Sequence, residues 1–145
     1  MERLHFSVHI NAPRKRVWQV LWDANTYTQW TAPFGEGGSA VSDWLEGSPI
    51  HFLSASGDGM FSVIERKEDN VFMAFKHLGM VKDGKELADE PTMREWAGAK
   101  EEYTLKEIGG GTELSVALDV TTKEVPNFNK MFPDALAIVK KLAEH

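Results

Sequence analysis

The C-terminal segment constrains the fold more than any other stretch. Phe128, Phe132, Ala135, Leu136, Val139 and Leu142 recur at steps of three and four, which makes one broad apolar helical face. Lys140 and Lys141 lie near its end, where cations suit the helix dipole. The helix expected over Asn127–Ala143 follows a long run of short, alternating segments. A sheet with one apolar face must bury it, and this helix is the only element long enough to lie across such a sheet. The predicted architecture is therefore α+β: a curved antiparallel sheet of about seven strands around one long terminal helix. Space remains between them unless large side chains fill it.

The rest of the chain supplies that sheet. Leu4, Phe6, Val8 and Ile10 alternate with His5, Ser7 and His9, the pattern of a half-buried strand. Asn11-Ala12-Pro13 reads as a helix start with Asn11 as cap, and Val17, Val20 and Leu21 continue with helical spacing. A second short helix is expected from Asp23 to Trp30. Strands are expected at Ala40–Trp44, Pro49–Ser54, Met60–Lys67 and Val71–His77, with Gly-, Asn- and Asp-rich turns between them. Leu78–Ala97 reads as a polar connection, with one helical turn at Pro91–Trp96. Lys100–Ile108 and Thr112–Thr121 form a last pair joined by Gly109-Gly110-Gly111. No repeat or linker interrupts residues 1–145, so one domain is expected.

Composition narrows the function. The net charge of −6 disfavours nucleic acid and anionic membranes as partners. With no cysteine, thiolate catalysis, disulfides and Cys-ligated zinc are excluded. No apolar run reaches the roughly 18 residues of a membrane span. The N-terminus lacks the apolar core of a secretory signal, so a cytoplasmic location is expected. The clusters Gly35-Glu36-Gly37-Gly38 and Gly57-Asp58-Gly59 lack the Lys-Ser/Thr of a phosphate loop. No Ser-His-Asp order of a hydrolase stands out. No cofactor, metal site or catalytic residue is assigned.

Several stretches together resemble a known superfamily. They are Ile10-Asn11-Ala12-Pro13 with Val17-Trp18 and Leu21, Trp30 with Pro33-Phe34, Trp96 to Leu105, and Gly111-Thr112-Glu113-Leu114. In this order and spacing they resemble the START-like (SRPBCC, Bet v-type) superfamily. Within it they are most similar to the branch named after the activator of the heat-shock chaperone ATPase. The resemblance covers essentially the whole chain. It implies a helix-grip fold with a cavity between sheet and terminal helix, which takes apolar small molecules in many members. It does not choose among carriers, cyclases and chaperone cofactors.

The candidate site follows from side-chain parity. His5 and His9 fall on the polar face of their strand and read as exposed. His77 shares parity with Met73 and Phe75, so it is expected to point inward, either as a hydrogen-bonded core histidine or as a ligand contact. Glu101 shares parity with Tyr103 and Leu105, and so faces either the cavity or the wet rim of the sheet. Trp30, Met73, Phe75, Tyr103, Phe128, Met131, Phe132 and Leu136 are expected to line the pocket, with His77 and Glu101 as its polar contacts. Ordinary core packing is the alternative for most of the aromatics. The six Met and five Trp suit an adaptable apolar pocket.

Non-catalytic binding of a small apolar or aromatic molecule is the expected function. A cyclase- or isomerase-type enzyme using Glu101 or His77 is the first alternative, and a chaperone ATPase co-regulator the second. Leu78–Ala97 would be either a lid or a packed, decorated turn. A homodimer is expected if Trp44 or Trp96 is exposed.

Overall fold

The structure, a computed structural model, describes residues 1–88 and 90–145. Its elements are β1 (Glu2–Ile10), α1 (Arg14–Trp22), α2 (Ala24–Trp30), β2 (Ser39–Val41), β3 (Pro49–Leu53), β4 (Gly59–Glu68), β5 (Phe72–Lys82), β6 (Lys85–Leu87), β7 (Lys100–Ile108), β8 (Gly111–Val120) and α3 (Val125–Ala143). Single 3₁₀ turns stand at Ala32–Phe34, Pro91–Met93 and Thr122–Glu124. The antiparallel sheet runs β1-β8-β7-β5-β4-β3-β2, with β6 on the far end of β5. The helix-grip order read from the sequence is the order observed.

Alternation sets the faces. In β1, Leu4, Phe6, Val8 and Ile10 turn toward the interior while His5, Ser7 and His9 are exposed. β8 opposes them in register, Phe6 against Val116 and Val8 against Leu114. On β7, Tyr103 and Leu105 are buried between exposed Thr104 and Lys106. Trp22, at the end of α1, enters this interior and meets Tyr103, Phe75, Trp44, Trp18 and Trp30, with ring centroids 5.0–6.5 Å apart. The Trp30 indole N–H donates to the Leu21 carbonyl at 3.0 Å, which anchors α2 against α1.

α3 makes two different contacts along its length. Its C-terminal part buries Ala135, Leu136, Val139 and Ala143, and the two alanines allow close approach to the sheet and α1. Its N-terminal part carries Phe128 and Phe132 instead. Phe132 stacks on Phe6 at 5.1 Å and meets the edge of Phe34 at 4.9 Å. These rings hold the first turns of the helix away from the sheet. Pro133 stands in the helix at the boundary between the two parts.

Several expectations need correction. The seven-stranded path is as expected, but β5 does not end at His77: it continues to Lys82 and folds back as a short additional strand, β6. Asp83-Gly84 makes that turn with positive φ at both residues, the backbone that an Asp-Gly hairpin favours. β2 stops at Val41, and Trp44 takes a left-handed conformation at φ 64° instead of extending the strand. Asn11 does not cap α1. Pro13 holds the cap position, and the Asn11 N–H donates to Glu144 Oε2 at 2.8 Å, tying the start of α1 to the end of α3. Asp23 holds the cap position of α2 without a side-chain bond. The turn expected at Pro91–Trp96 is shorter, Pro91–Met93. Of the lid-or-turn segment 78–97, residues 78–87 belong to the β5–β6 hairpin; residue 89 within it lies outside the described residues.

One glycine is required by close approach. A Cβ on Gly79 would overlap the Leu87 carbonyl oxygen and the Phe61 ring. Gly79→Ala should therefore loosen the β5–β6 hairpin and destabilise the fold by about 1–3 kcal/mol, the usual cost of overpacking. Denaturant unfolding checks this; a midpoint equal to wild type would show that the hairpin contributes nothing to the global fold.

Candidate functional site

Where the N-terminal part of α3 stands off the sheet, a cavity of about 520 Å³ opens. Its walls are α2, the Ala32–Phe34 turn, the ends of β3 and β8, and the first turns of α3. Seven of the residues expected at the pocket reach it: Trp30, His77, Glu101, Tyr103, Phe128, Met131 and Phe132. Met73, Phe75 and Leu136 do not. All three are buried, but they lie in the filled half of the interior. Phe75 sits edge-on to Trp22 at 5.4 Å and to Phe52 at 5.0 Å, so the ring of Phe52 takes its place on the wall.

The polar groups gather at one end. Ser62 and His77 face each other across the β4–β5 pair, and Ser62 Oγ lies 2.6 Å from His77 Nδ1. His77 Nε2 lies 3.2 Å from Glu101 Oε1. The Tyr103 hydroxyl donates to Glu101 Oε2. With the imidazole neutral, the Ser62 hydroxyl donates to Nδ1 and Nε2–H donates to the carboxylate, which satisfies each group. Ser62 and His77 are buried, whereas the Glu101 side chain is 21% exposed and reaches the cavity. His77 is hydrogen-bonded within the core and also on the wall, and Glu101 lies on the wall.

A bulge makes this alignment. Ser62 pairs with His77 but Phe61 pairs with Gly79, so Leu78 is the extra residue and turns outward. A second irregularity at Glu65 re-phases β4 below it. His77 also bonds backbone to backbone with the returning chain, His77 N–H to Ala99 O at 2.9 Å and Gly98 N–H to His77 O at 2.8 Å. That turn brings Trp96 to the cavity wall. Trp44 is half-buried against Trp22 at 5.7 Å. Both tryptophans are half-buried, so neither is the exposed aromatic on which a homodimer was expected.

Sequence reasoning missed Tyr27, Ser62 and Leu118. Ser62 had a readable signal, since it alternates with inward Ile64. Tyr27 had none, because α2 is too short to display a periodic face. The line Ser62–His77–Glu101 has the residue types of a hydrolytic triad in a different geometry. Ser62 lies on the far side of the imidazole and is not on the wall, so it cannot act as a nucleophile on a molecule in the cavity.

A bent antiparallel sheet that grips a C-terminal helix and leaves a cavity between them is the START-like (SRPBCC) fold, and this chain has it. Solved structures of that kind align along nearly its full length. The Aha1 dimer from Colwellia psychrerythraea aligns with a TM-score of 0.75 and 17% identity, over 99% of this chain and 97% of that one. The AHSA1-like protein from Aeromonas hydrophila aligns at 0.67 and 16%, over 99% and 92%. CalU16 from Micromonospora echinospora aligns at 0.66 and 19%, over 97% and 75%. No family profile matches the chain, and no curated protein does. Among the described residues no helix is long and apolar enough to cross a membrane.

The two tyrosines of the chain, Tyr27 and Tyr103, both adjoin this site. Burial pushes each phenol well above the ordinary value near 10, and the Glu101 charge adds to the effect. A folded-state value above the unfolded one means that stability is intact below about pH 10 and falls as pH rises beyond it. In an alkaline titration, tyrosinate absorbance should rise only together with loss of near-UV circular dichroism. A reversible tyrosinate step near the ordinary value in the folded protein would contradict the burial of that residue.

Proposed function

We propose that residues 1–145, working as one START-like domain, bind a small molecule with an apolar or aromatic body in this cavity. The observation that carries the reading is the cavity itself. About 520 Å³ of space is walled largely by aromatic and apolar side chains, with a few polar groups converging at one end. A volume of this order suits a small organic ligand, and apolar burial at about 25 cal/mol per Å² would drive its entry. The fold neighbours support the same architecture and leave the ligand to be decided by this chain's own residues.

Saturable binding of a neutral environment-sensitive dye, displaceable by apolar and aromatic compounds, is the expected result. Met131→Trp puts a larger ring on the helix wall and should weaken dye binding by about tenfold or more, equivalent to 1.4 kcal/mol. Native mass spectrometry of the purified protein would show a co-purified molecule directly. A wild-type protein with no displaceable dye signal would end the proposal.

The Glu101 environment also favours a second reading, in which the carboxylate is a general base on a molecule in the cavity. It is held by Tyr103 and His77 yet remains partly accessible. An enzyme of the cyclase or isomerase kind predicts that Glu101→Gln abolishes turnover while dye binding persists. Conversion of a bound compound that continues undiminished in that variant would remove this reading.

A further inference from the structure

The charge on the cavity wall is one-sided. Glu101, Asp58, Asp119 and Glu124 lie along it, and no Lys or Arg is found among the described residues that line it. Three of these carboxylates already serve the fold. Asp119 accepts from Arg3 Nη1 and from the Lys100 N–H, both at 3.0 Å, Asp58 accepts from the Asp83 N–H at 3.1 Å, and Glu124 accepts from Asn127 Nδ2 at 3.0 Å. Of the four only Asp119 has a cation among the described residues as partner, Arg3; Glu101 accepts from a phenol and an imidazole, so with neutral His77 it is held by two hydrogen bonds and by no cation. A carboxylate in a mostly apolar enclosure is costly when nothing opposite in charge stands near.

The surroundings of Glu101 match a cation as well. Tyr27, Trp30, Phe52, Trp96 and Tyr103 share the wall with it, and ring faces attract organic cations. Tyr27 lines the same cavity, close enough to Glu101 for that charge to act on its phenol. Beyond the mouth, the net charge of −6 draws cations toward the molecule.

Building on the proposed binding function, we infer that the ligand is an organic cation: an apolar or aromatic body bearing a protonated amine that pairs with Glu101. The body fills the apolar part of the cavity. The ammonium donates to the carboxylate oxygens left accessible between Tyr103 and His77, and Tyr27 can accept a further N–H. An anion of the same shape would meet only like charge and phenol oxygen.

Three compounds on one skeleton test this: naphthylethylamine, naphthylethanol and naphthylacetate, each competed at neutral pH against the uncharged dye N-phenylnaphthylamine. The amine should displace the dye at a concentration about tenfold or more below the alcohol, the scale of a hydrogen bond to a charged group, and the carboxylate should be weakest. Glu101→Gln should bring the amine to the level of the alcohol, and a near-UV circular dichroism spectrum equal to wild type shows that the change reads charge and not folding. Saturable dye binding with no preference for the amine would overturn the inference and leave the cavity reading standing; an imidazolium at His77 that already neutralises Glu101 would produce that outcome. A preference that survives in the Gln variant would overturn the assignment to Glu101. If the variant does not fold, the wild-type ranking of the three compounds still decides. Absence of any displaceable dye signal would remove the binding function and this inference together.

Discussion

Phe132 decides how much of the sheet's concave side the terminal helix can fill. Its ring stacks on Phe6 of β1 and meets Phe34 edge-on. Aromatic pairs of this kind contribute about 0.5–1.5 kcal/mol each beyond the area they bury. C-terminal to this contact the helix presents alanines and settles onto the core; N-terminal to it, Phe128 and Met131 stand on a cavity wall. The filled half of the interior is organised around Trp22, whose five ring neighbours come from α1, α2, β5, β7 and the Trp44 loop. The aromatic surplus in the sequence thus serves two ends. Part of it makes a rigid core, and part stands back to line a void.

That void matters because of what reaches it. An ionised carboxylate in apolar surroundings needs donors, and Tyr103 and His77 supply them. His77 in turn is held through its other nitrogen by Ser62. The chain of four side chains spans β4, β5 and β7, three strands adjacent in the sheet. Each member is fixed by a backbone that is itself in a ladder, so the polar end of the cavity is pre-organised. Pre-organisation lowers the ordering cost of binding, and it would equally serve proton transfer.

The helix-grip order was legible because each element carries its own period. β1, β7, β8 and α3 lie within a residue or two of their expected bounds, since their buried faces repeat without interruption. Errors concentrate where the period is masked. The expected strand end at His77 was wrong because the next outward and inward positions carry Leu78 and Gly79, which hide an alternation that continues unbroken to Val81. Asp83-Gly84 was a clear hairpin signal inside the stretch read as a loop. Parity placed His77 and Glu101 on the inner face correctly. It could not say which inner residues border space and which border one another, and so Met73, Phe75 and Leu136 are expected on the wall while Tyr27 and Leu118 are not.

The amino-acid order by itself determined the secondary elements, their succession and their inward faces, because these depend on local periodicity and turn chemistry. The tertiary structure alone decided where the interior is hollow and which polar groups meet there. Hollowness arises where the curved sheet and the terminal helix, propped by Phe132, do not fill the space between them. The union of Ser62, His77, Glu101 and Tyr103 arises from the cross-strand registers of β4, β5 and β7, with the β4–β5 pairing shifted at both Glu65 and Leu78. Both are relations between distant parts of the chain, and no window along it contains them.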